Sequence, residues 1–393
     1  MRPIFNRILV GLYLALALVP VTAMLLKVKD HRLDGTFPPG PRPALTVAAV
    51  LDDSFQTKLT TWFETSFGLR AWAVWIDNSI LYHLFAETRF GSRVALGTDG
   101  TLFEGDDINY FNASAAQLPS ADHVAALADR IANLQARLRA HGRAFIPVFV
   151  PSKTTFYRDK VPALWTRDLG DPRPGTRLVH HAIRDALEAR HVTYVDGIDL
   201  LTTSTESRDL LWGPGARHFS NYAGCLVVRA TLAAYARVTA TPPIEYPCIA
   251  DVKRSKRSHG DLDLFRLVNA WGAARDPVGR DVLHDPLPAA PLAGAPKIMW
   301  IATSFGWVTM GDAALSKRFP ELHLDYYNSS VFDGGNAQAL GSIDPRSEAW
   351  RALFLTRDLY VFELHESYVT LGPFGSGYFA MDALDALDEQ LPR

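Results

Sequence analysis

The chain has 393 residues and a formal net charge of −2. This balance argues against nucleic acid as the main partner, because phosphate binding requires a basic surface. Hydrophobic residues make up 48% of the chain, which is ordinary for a protein that buries a core. The length suits one large domain or two smaller ones.

The first feature along the chain is an apolar segment, residues 8–26, which contains no charged residue. About 20 apolar residues span the hydrocarbon of a bilayer, so this segment is long enough to cross one. A cleaved signal peptide has a shorter apolar region and a small-x-small cleavage site, to which Pro20–Met24 is a poor match. We therefore predict an uncleaved transmembrane signal anchor over residues 8–26, after a tail of residues 1–7. Basic residues flank both ends, so charge does not decide which side the domain occupies.

A linker and a long globular region follow the apolar segment. Residues 27–50 contain closely spaced prolines and predict an extended linker. Residues 51–85 are rich in aromatic side chains and have a helical pattern, and we expect them to pack as a helical layer on one domain of residues 51–393. Residues 251–296 are charged and irregular at their start, which predicts a surface insertion in that domain.

Helical and strand patterns alternate from Ser120 onward. Ser120 predicts a helix N-cap, and Gly142 lies where that helix is expected to end. Strands are predicted over residues 144–150, 192–195, 297–302, 322–326 and 359–364, and further helices over residues 178–189, 221–235 and 378–391. The first of these strands contains Pro147, which argues against a central position in a sheet. The alternation predicts an α/β layer fold with a mostly parallel sheet.

Ser304 is the first candidate for chemistry, because it follows the apolar strand ending at Ala302 and precedes a helix. Sites in open α/β sheets lie at the carboxyl ends of strands. The N–H groups of the following helix would then stabilise an oxyanion beside the serine hydroxyl. The alternative is a serine that only caps the helix.

His218 is the second candidate, in a loop that enters a predicted helix. Histidine is the usual base for a serine nucleophile, because its ordinary pKa is close to neutral pH. The alternative is an exposed loop histidine, one of 12 in the chain.

A serine–histidine pair also needs a carboxylate that orients the imidazole. No spacing singles out one acidic residue among the candidates Asp196, Asp199, Asp209, Asp261 and Asp263. Glu363 and Glu366 follow the last predicted strand, and we expect them to solvate its end rather than reach the site.

The two cysteines, Cys225 and Cys248, do not form a metal-binding spacing. They would form a disulfide in an oxidising compartment, and two unrelated buried thiols are the open alternative. We expect no cofactor and no bound metal ion.

Five segments in the same order resemble the SGNH-hydrolase-like domain of the alginate O-acetyltransferase family, the AlgJ/AlgX type. They are Phe63–Arg70 (FETSFGLR), Gly91–Phe103 (GSRVALGTDGTLF), Pro151–Tyr157 (PSKTTFY), Thr303–Phe305 (TSF) and Phe362–Tyr368 (FELHESY). Together they extend over about residues 51–370. The resemblance implies a three-layer α/β domain with a mostly parallel sheet, preceded here by one transmembrane helix.

The resemblance also implies roles for the two candidate residues. Ser304 would form an acetyl-serine, and His218 would take the serine proton and then activate a sugar hydroxyl. His218-Phe219 matches the His-Trp of the family's Asp-x-His-Trp motif, whereas the aspartate position falls on Ala216. The orienting carboxylate is therefore missing from its expected place.

The activity implied is O-acetylation of an exported bacterial polysaccharide. A multi-spanning membrane acyltransferase would supply acetyl groups, and other subunits of the export complex would be further partners. The resemblance implies a bacterial inner-membrane anchor with the domain in the periplasm. Ala216 favours the alternative of a catalytically impaired subunit that binds polysaccharide or acts as a scaffold, and an acetyl esterase is a third possibility.

Overall fold

The structure is a computed structural model that describes residues 2–35, 40–89, 94–113, 118–162, 175–253, 262–272, 281–284, 291–310, 313–334, 336–342, 347–366, 384–385 and 387–389. Contacts between residues divide the chain into two compact units. The first unit comprises Met1–Val94 and Leu264–Asp276, and the second comprises Ala95–Asp263 and Pro277–Arg393.

Three of the described helices begin at a serine that caps them. In chain order they are α1 (Arg2–Leu25), α2 (Val47–Leu51), α3 (Ser54–Ser66), α4 (Arg70–Ile80), α5 (Gly105–Phe111), α6 (Ala121–Ala140), α7 (Lys153–Phe156), α8 (Gly175–Glu188), α9 (Gly197–Thr202), α10 (Arg208–Leu211), α11 (Asn221–Thr239), α12 (Asp263–Val268), α13 (Phe305–Met310), α14 (Ala313–Arg318) and α15 (Glu348–Leu355). Ser120, Ser152 and Ser220 each accept a hydrogen bond from the backbone N–H three residues later and cap α6, α7 and α11. The predicted cap at Ser120 is confirmed.

The first unit is helical in its described residues. Within α1, Phe5–Leu25 has a mean hydropathy of 2.4 and is long and apolar enough to cross a membrane. The helical pattern of residues 51–85 is confirmed as α3, α4 and a π-helical turn, Leu81–Phe85, that continues α4.

Part of the predicted insertion, residues 251–296, belongs to this first unit. The Asn78 side-chain amide donates to the Val268 carbonyl at 2.9 Å. The Trp271 backbone N–H donates to Ser79 Oγ at 2.8 Å. These bonds attach Val268 and Trp271 to α4. The contacts within the structure thus form two units, where the sequence predicts one domain over residues 51–393.

The second unit contains a seven-stranded sheet. The strands are β1 (Val94–Leu96), β2 (Leu102–Glu104), β3 (Ala144–Val150), β4 (Val195–Asp196), β5 (Ala250–Lys253), β6 (Asp281–His284), β7 (Ile298–Ala302), β8 (Leu322–Tyr326), β9 (Ser330–Asp333), β10 (Ala339–Ser342) and β11 (Leu359–His365). The order in the large sheet is β10-β9-β8-β7-β11-β3-β4, and the pairs from β8 to β4 are all parallel. Strands β9 and β10 add antiparallel pairs at one edge. Strands β1 and β2, which begin at the boundary between the units, form a separate two-stranded sheet, as do β5 and β6.

Alternate residues of the central strands face opposite sides of the sheet. In β7, Ile298, Trp300 and Ala302 belong to one buried hydrophobic cluster, whereas Met299 and Ile301 belong to the other. The first cluster includes residues of α11, and the second includes residues of α6 and α8. Helices therefore cover both faces, which confirms the predicted three-layer α/β fold with a mostly parallel sheet.

Strand β3 is buried along its whole length although it contains Pro147. Strand β4 pairs only with Val148 and Phe149, so Pro147 lies beyond the paired part of that neighbour. A proline is tolerated where a strand lacks a partner on one side, because no ladder hydrogen bond is lost there.

Strand β4 is shorter than the predicted strand of residues 192–195. The backbone N–H of Thr193 donates to Gln135 Oε1, and the Thr193 carbonyl accepts from Gln135 Nε2. A side chain of α6 thus occupies the backbone groups that a longer strand would use, and pairing starts only at Val195.

Two remaining predictions concern the insertion and the end of the chain. Strands β5 and β6 lie within the predicted insertion apart from Ala250, and they pair in antiparallel register. The final helix predicted over residues 378–391 lies mostly outside the described residues.

Cys225 and Cys248 are joined by a disulfide. The bond links α11 to the segment that follows it, across a sequence separation of 23 residues. Closing a loop of this length is expected to stabilise a fold by about 3 kcal/mol. The alternative of two unrelated thiols is therefore wrong.

Candidate active site

The site lies where three parallel strands end at one edge of the sheet. Register pairs His365 of β11 with Val150 of β3, and Phe362 of β11 with Ile301 of β7. The segments that follow β3 and β7 therefore start beside the end of β11. Parallel α/β sheets place their functional residues at such an edge.

Glu363 holds the turn that carries Ser304. Its Oε1 atom accepts hydrogen bonds from the Thr303 backbone N–H at 3.2 Å and from Thr303 Oγ1 at 2.6 Å. Glu363 is only 1% exposed, and burial raises the pKa of its carboxyl to about 7, while the Thr303 bonds act in the opposite direction. The expectation that Glu363 solvates the strand end is wrong, because an unpaired carboxyl is too costly to bury and this one is bonded.

Glu366 has a similar task at the end of β3. Its Oε2 atom accepts from the backbone N–H of Ser152 at 3.1 Å and from Ser152 Oγ at 3.2 Å. Glu366 is buried, so the expectation that it solvates the strand end is also wrong. Ser152 caps α7, and Glu366 therefore fixes the start of the helix that contains Lys153.

Lys153 supports the loop that carries His218. Its side chain is buried, and its Nζ donates to the carbonyls of Pro214 and Ala216 at 2.7 Å each. Burial lowers the pKa of Lys153 to about 7, although Asp263 and Asp107 favour its charged form. The ammonium thus anchors the backbone two residues before His218.

The structure brings the two candidate residues together. His218 Nε2 lies 2.8 Å from Ser304 Oγ, which is hydrogen-bond distance. Thr303 Oγ1 accepts the backbone N–H of Phe305 at 3.3 Å, so the threonine performs the capping expected in the alternative for Ser304. Among the described hydrogen bonds, the Ser304 hydroxyl is used for His218 instead.

The expected oxyanion donors are directed elsewhere. The N–H of Phe305 points to Thr303 Oγ1, and the N–H of Gly306 donates to the Thr303 carbonyl at 3.1 Å. These two amides of α13 therefore face back into the turn and not toward a ligand.

Among the described contacts, Asp263 is the carboxylate that lies next to the His218 ring. Its Oδ2 lies 3.4 Å from His218 Nδ1, and its Oδ1 accepts the Arg217 backbone N–H at 2.6 Å. The 3.4 Å contact is longer than an ordinary hydrogen bond, a spacing that is frequent in sites without substrate. Asp263 is one of the five aspartates that the sequence offered as the orienting carboxylate, and nothing in the sequence around it distinguishes it from the other four.

The other candidate carboxylates have different partners or positions. Asp196 accepts the Asp199 backbone N–H at 2.9 Å and lies 3.0 Å from His180 Nε2. Asp199 lies 3.4 Å from Arg184. Asp209 is exposed on α10, and Asp261 lies outside the described residues. Ala216, at the family's aspartate position, is buried in the core.

A cleft opens beside Ser304. It is lined by Glu104, Asp106, Asp107, Tyr110, Arg217, Ser304, Phe305 and His365. The Arg217 guanidinium lies 2.8 Å from Glu104 Oε2. Burial, and to a lesser extent the charge of Asp107, raises the pKa of Glu104 to about 7. The sequence did not mark these acidic residues, which lie at the end of β2 and the start of α5.

His365 contributes a neutral imidazole to the same cleft. Burial lowers the pKa of His365 to about 3, with smaller effects from the Arg217 and His218 charges. Its ring lies 4.6 Å from that of Phe305, which in turn lies 4.7 Å from the His218 ring. Phe305 therefore separates two histidines of different character, one bonded to Ser304 and one held uncharged.

In the described part of the chain, no group of three or more His, Cys, Asp or Glu side chains is arranged to hold a metal ion.

Comparison with known proteins relates the domain that contains this site to a known family. Residues 94–277 match the model of the SGNH hydrolase-like domain of the acetyltransferase AlgX. Residues 94–277 thus resemble the SGNH hydrolase-like domain of the alginate O-acetyltransferase family. The resemblance drawn from short segments is thus confirmed. The matched residues include His218 and Asp263 and end before Ser304.

Several solved structures are similar to this chain. The O-acetyltransferase domain of Pseudomonas putida AlgJ is 17% identical, over 76% of this chain and 99% of that chain, with a TM-score of 0.46. Pseudomonas aeruginosa AlgX is 13% identical, over 75% of this chain and 67% of that chain, with a TM-score of 0.41. A DHHW family protein from Eubacterium siraeum is 10% identical, over 77% and 99% of the two chains, with a TM-score of 0.33. No curated protein sequence matches the chain.

The raised pKa of Glu363 predicts a pH-dependent stability. The native carboxyl keeps its proton between its ordinary pKa of 4.5 and about 7, whereas the unfolded chain loses it. Stability from this group is therefore present below about pH 4.5 and is lost as the pH rises to 7. Relative to Glu363→Gln, the wild-type free energy of unfolding should fall by about 3 kcal/mol across this window.

Urea unfolding in detergent at several pH values measures this difference in the free energy of unfolding. Glu64→Gln, on exposed α3, is the control, and parallel curves for wild type and Glu363→Gln would refute the prediction.

Proposed function

We propose that this protein O-acetylates an exported bacterial polysaccharide through an acetylated Ser304. The contact of 2.8 Å between Ser304 Oγ and His218 Nε2 carries the proposal. The acetyltransferase family of the domain supports polysaccharide O-acetylation as the general activity.

The reaction consists of two acyl transfers. Ser304 Oγ attacks the carbonyl carbon of an acetyl ester donor, and His218 takes the serine proton and passes it to the leaving oxygen. The acetyl group is then bound to Ser304. A sugar hydroxyl attacks this ester while His218 takes the hydroxyl proton, and that proton returns to Ser304 Oγ as the serine leaves. Across the two transfers, the acetyl group moves from the donor to the sugar hydroxyl, and the hydroxyl proton moves to the donor oxygen.

In this mechanism Asp263 orients His218 and stabilises its charged form. A carboxylate in this role can be worth about 10⁴ in turnover, mainly through the correct imidazole tautomer. Asp263 is itself held by the Arg217 backbone N–H, which fixes its position next to Nδ1. The acid missing at Ala216 is thus replaced from another part of the chain.

Ala216 is the observation that favours the second candidate function, a subunit that binds or guides polysaccharide without catalysis. A degraded site would not be expected to retain both the Ser304–His218 contact and a carboxylate beside the imidazole. We therefore rank the enzyme first.

We further propose that α1 anchors the protein in the bacterial inner membrane with its domain in the periplasm. The length and hydropathy of Phe5–Leu25 support the anchor, and the disulfide supports an oxidising compartment. Acetyl groups would then come from a multi-spanning membrane acyltransferase, and other export subunits would deliver the polymer.

The catalytic proposal predicts that Ser304→Ala and His218→Ala each reduce acetyl transfer at least a thousandfold. The first variant lacks the attacking hydroxyl, and the second lacks the base that takes its proton. Acetyl content of the exported polymer and hydrolysis of a small acetyl ester measure the loss. A trapped acetyl adduct, detected by mass spectrometry, should be absent from Ser304→Ala. Wild-type activity in both variants would instead favour the non-catalytic subunit.

If Asp263 replaces the acid that is missing at Ala216, substitutions at these two positions should affect turnover differently. Asp263→Asn should lower turnover by about 10²–10⁴, because the imidazole loses its orienting carboxylate. Ala216→Asp should give no gain in the wild type, where His218 already has a carboxylate, and a gain in the Asp263→Asn background. Asp209→Asn, on exposed α10, is the matched control. Full activity of Asp263→Asn would exclude Asp263 as the orienting residue.

The charge of the cleft predicts the class of acceptor. Three carboxyl groups and one guanidinium line it, so an acceptor sugar that bears its own carboxylate is repelled. Uncharged oligosaccharides should be acetylated about tenfold faster than uronate oligosaccharides of equal length, since about 1.4 kcal/mol of repulsion has this effect. The ratio should grow above pH 7, where Glu104 loses its proton, and shrink in Asp106→Asn. Equal rates for the two acceptors at low salt would contradict this assignment.

A further inference from the structure

An apolar stripe lies exposed along α4 and the π-helical turn of the first unit. Trp72, Ile76, Ile80 and Leu84 are 40%, 50%, 46% and 74% exposed. They are spaced four residues apart, so they follow one face of the helix. We name these four residues the α4 stripe.

The opposite face of α4 is the one that packs within the unit. Ala71 and Asn78 are its buried residues, and they are seven residues apart. The Asn78 side chain donates to the Val268 carbonyl. The helix therefore has one face covered by its own unit and an apolar face that the unit leaves exposed. Exposed apolar patches of this kind mark contact with a membrane or another protein.

The corner between α3 and α4 lies directly on the end of α1. A Cβ atom at Gly68 would stand 2.5 Å from the Pro20 carbonyl oxygen and 2.6 Å from the Met24 backbone nitrogen. Ala23, between them, is 6% exposed. Only a glycine allows this approach of the two backbones.

The start of α4 is also bonded to the chain just after α1. The Asp30 carboxylate accepts the backbone N–H groups of Ala71 and Trp72 at 3.1 and 3.2 Å. The His31 ring lies 4.9 Å from Trp72 and 5.3 Å from Trp75. Tryptophan is enriched at the level where a membrane meets water.

These contacts place α4 at a defined depth. The residues that Gly68 touches lie within the last turn and a half of Phe5–Leu25, which is about 8 Å of helix at 1.5 Å per residue. Helices that lie in a membrane interface bury their apolar face by about 5–10 Å. The depth set by α1 and the depth that an interfacial helix needs therefore agree.

We propose that α4 and the π-helical turn lie in the lipid–water interface of the membrane that α1 crosses, with the α4 stripe facing the acyl chains. The proposal rests on the anchor proposed above and goes beyond it, since it makes α4 a second point of attachment. Lipid is the occupant because the helix that carries the stripe begins next to the end of α1, which the anchor proposed above places in lipid. Two attachments restrict rotation of the first unit about α1.

The test uses the full chain in vesicles of phosphatidylethanolamine and phosphatidylglycerol. Both native cysteines are in the disulfide, so a single added cysteine can carry a fluorescent label. Ile76→Cys and Leu84→Cys report on the α4 stripe. Leu16→Cys, in α1, reports on the anchor, and Asn133→Cys, exposed on α6, is the control in water. Quenching by a nitroxide lipid is compared with quenching by a water-soluble nitroxide.

We expect the lipid nitroxide to quench the labels at positions 16, 76 and 84, and the water-soluble nitroxide to quench the label at 133. Quenching by lipid at 16 combined with water-like behaviour at 76 and 84 overturns the interfacial helix and leaves the anchor intact. Water-like behaviour at 16 as well overturns both. Shielding of 76 and 84 that requires a co-reconstituted membrane protein also overturns the lipid assignment, because it identifies a protein as the occupant.

Discussion

The buried carboxyl of Glu363 is the constraint on which the geometry of the site depends. A polar group without water is stable only when it is hydrogen-bonded, so Glu363 must keep Thr303 within reach of Oε1. That requirement fixes the turn after β7 and directs Ser304 toward the loop of His218. Glu366 and Lys153 apply the same rule to two neighbouring segments, each satisfying backbone groups that would otherwise lack partners. The side chains proposed as nucleophile and base are thus positioned by buried polar groups that do not touch them.

The layers of the fold could be predicted from the sequence because they follow from periodicity. Strand β3 follows an apolar run interrupted only by Pro147, and α6 has a serine cap and an apolar stripe, so both can be predicted from local sequence. Strand β4 was predicted too long because its competitor for hydrogen bonds, Gln135, lies 58 residues from Thr193. Local patterns cannot reveal such a partner.

The same distinction applies to the site. Ser304 and His218 could be proposed from the chemistry of their side chains and the family segments, and the structure places them in contact. Asp263 could not be distinguished from the other acidic candidates, because only its contact with His218 in the folded chain sets it apart, and no short sequence spacing predicts that contact. The roles of Glu363 and Glu366 were misjudged for a related reason. A glutamate at the end of a strand usually faces water, and only the three-dimensional packing of β3, β7 and β11 shows that these two are buried.

A transferase and an esterase share the first half of the reaction, so the difference between them must arise in the cleft. Water reaches any open acyl-serine, and a sugar hydroxyl competes only if it is held in line with the ester. Effective concentrations of about 10⁵ M are available to a well-oriented neighbouring group, which is ample to outcompete water. The lining of the cleft suits that purpose, because Arg217 and Tyr110 donate hydrogen bonds and the acidic side chains accept them, as sugar hydroxyls require. His365 adds to this because burial keeps its ring uncharged, so it can orient a hydroxyl without competing with His218 for the transferred proton. In the proposed reaction the same carboxylates would bind hydroxyl groups and repel an anionic sugar, so one set of residues would favour transfer over hydrolysis and neutral over acidic acceptors.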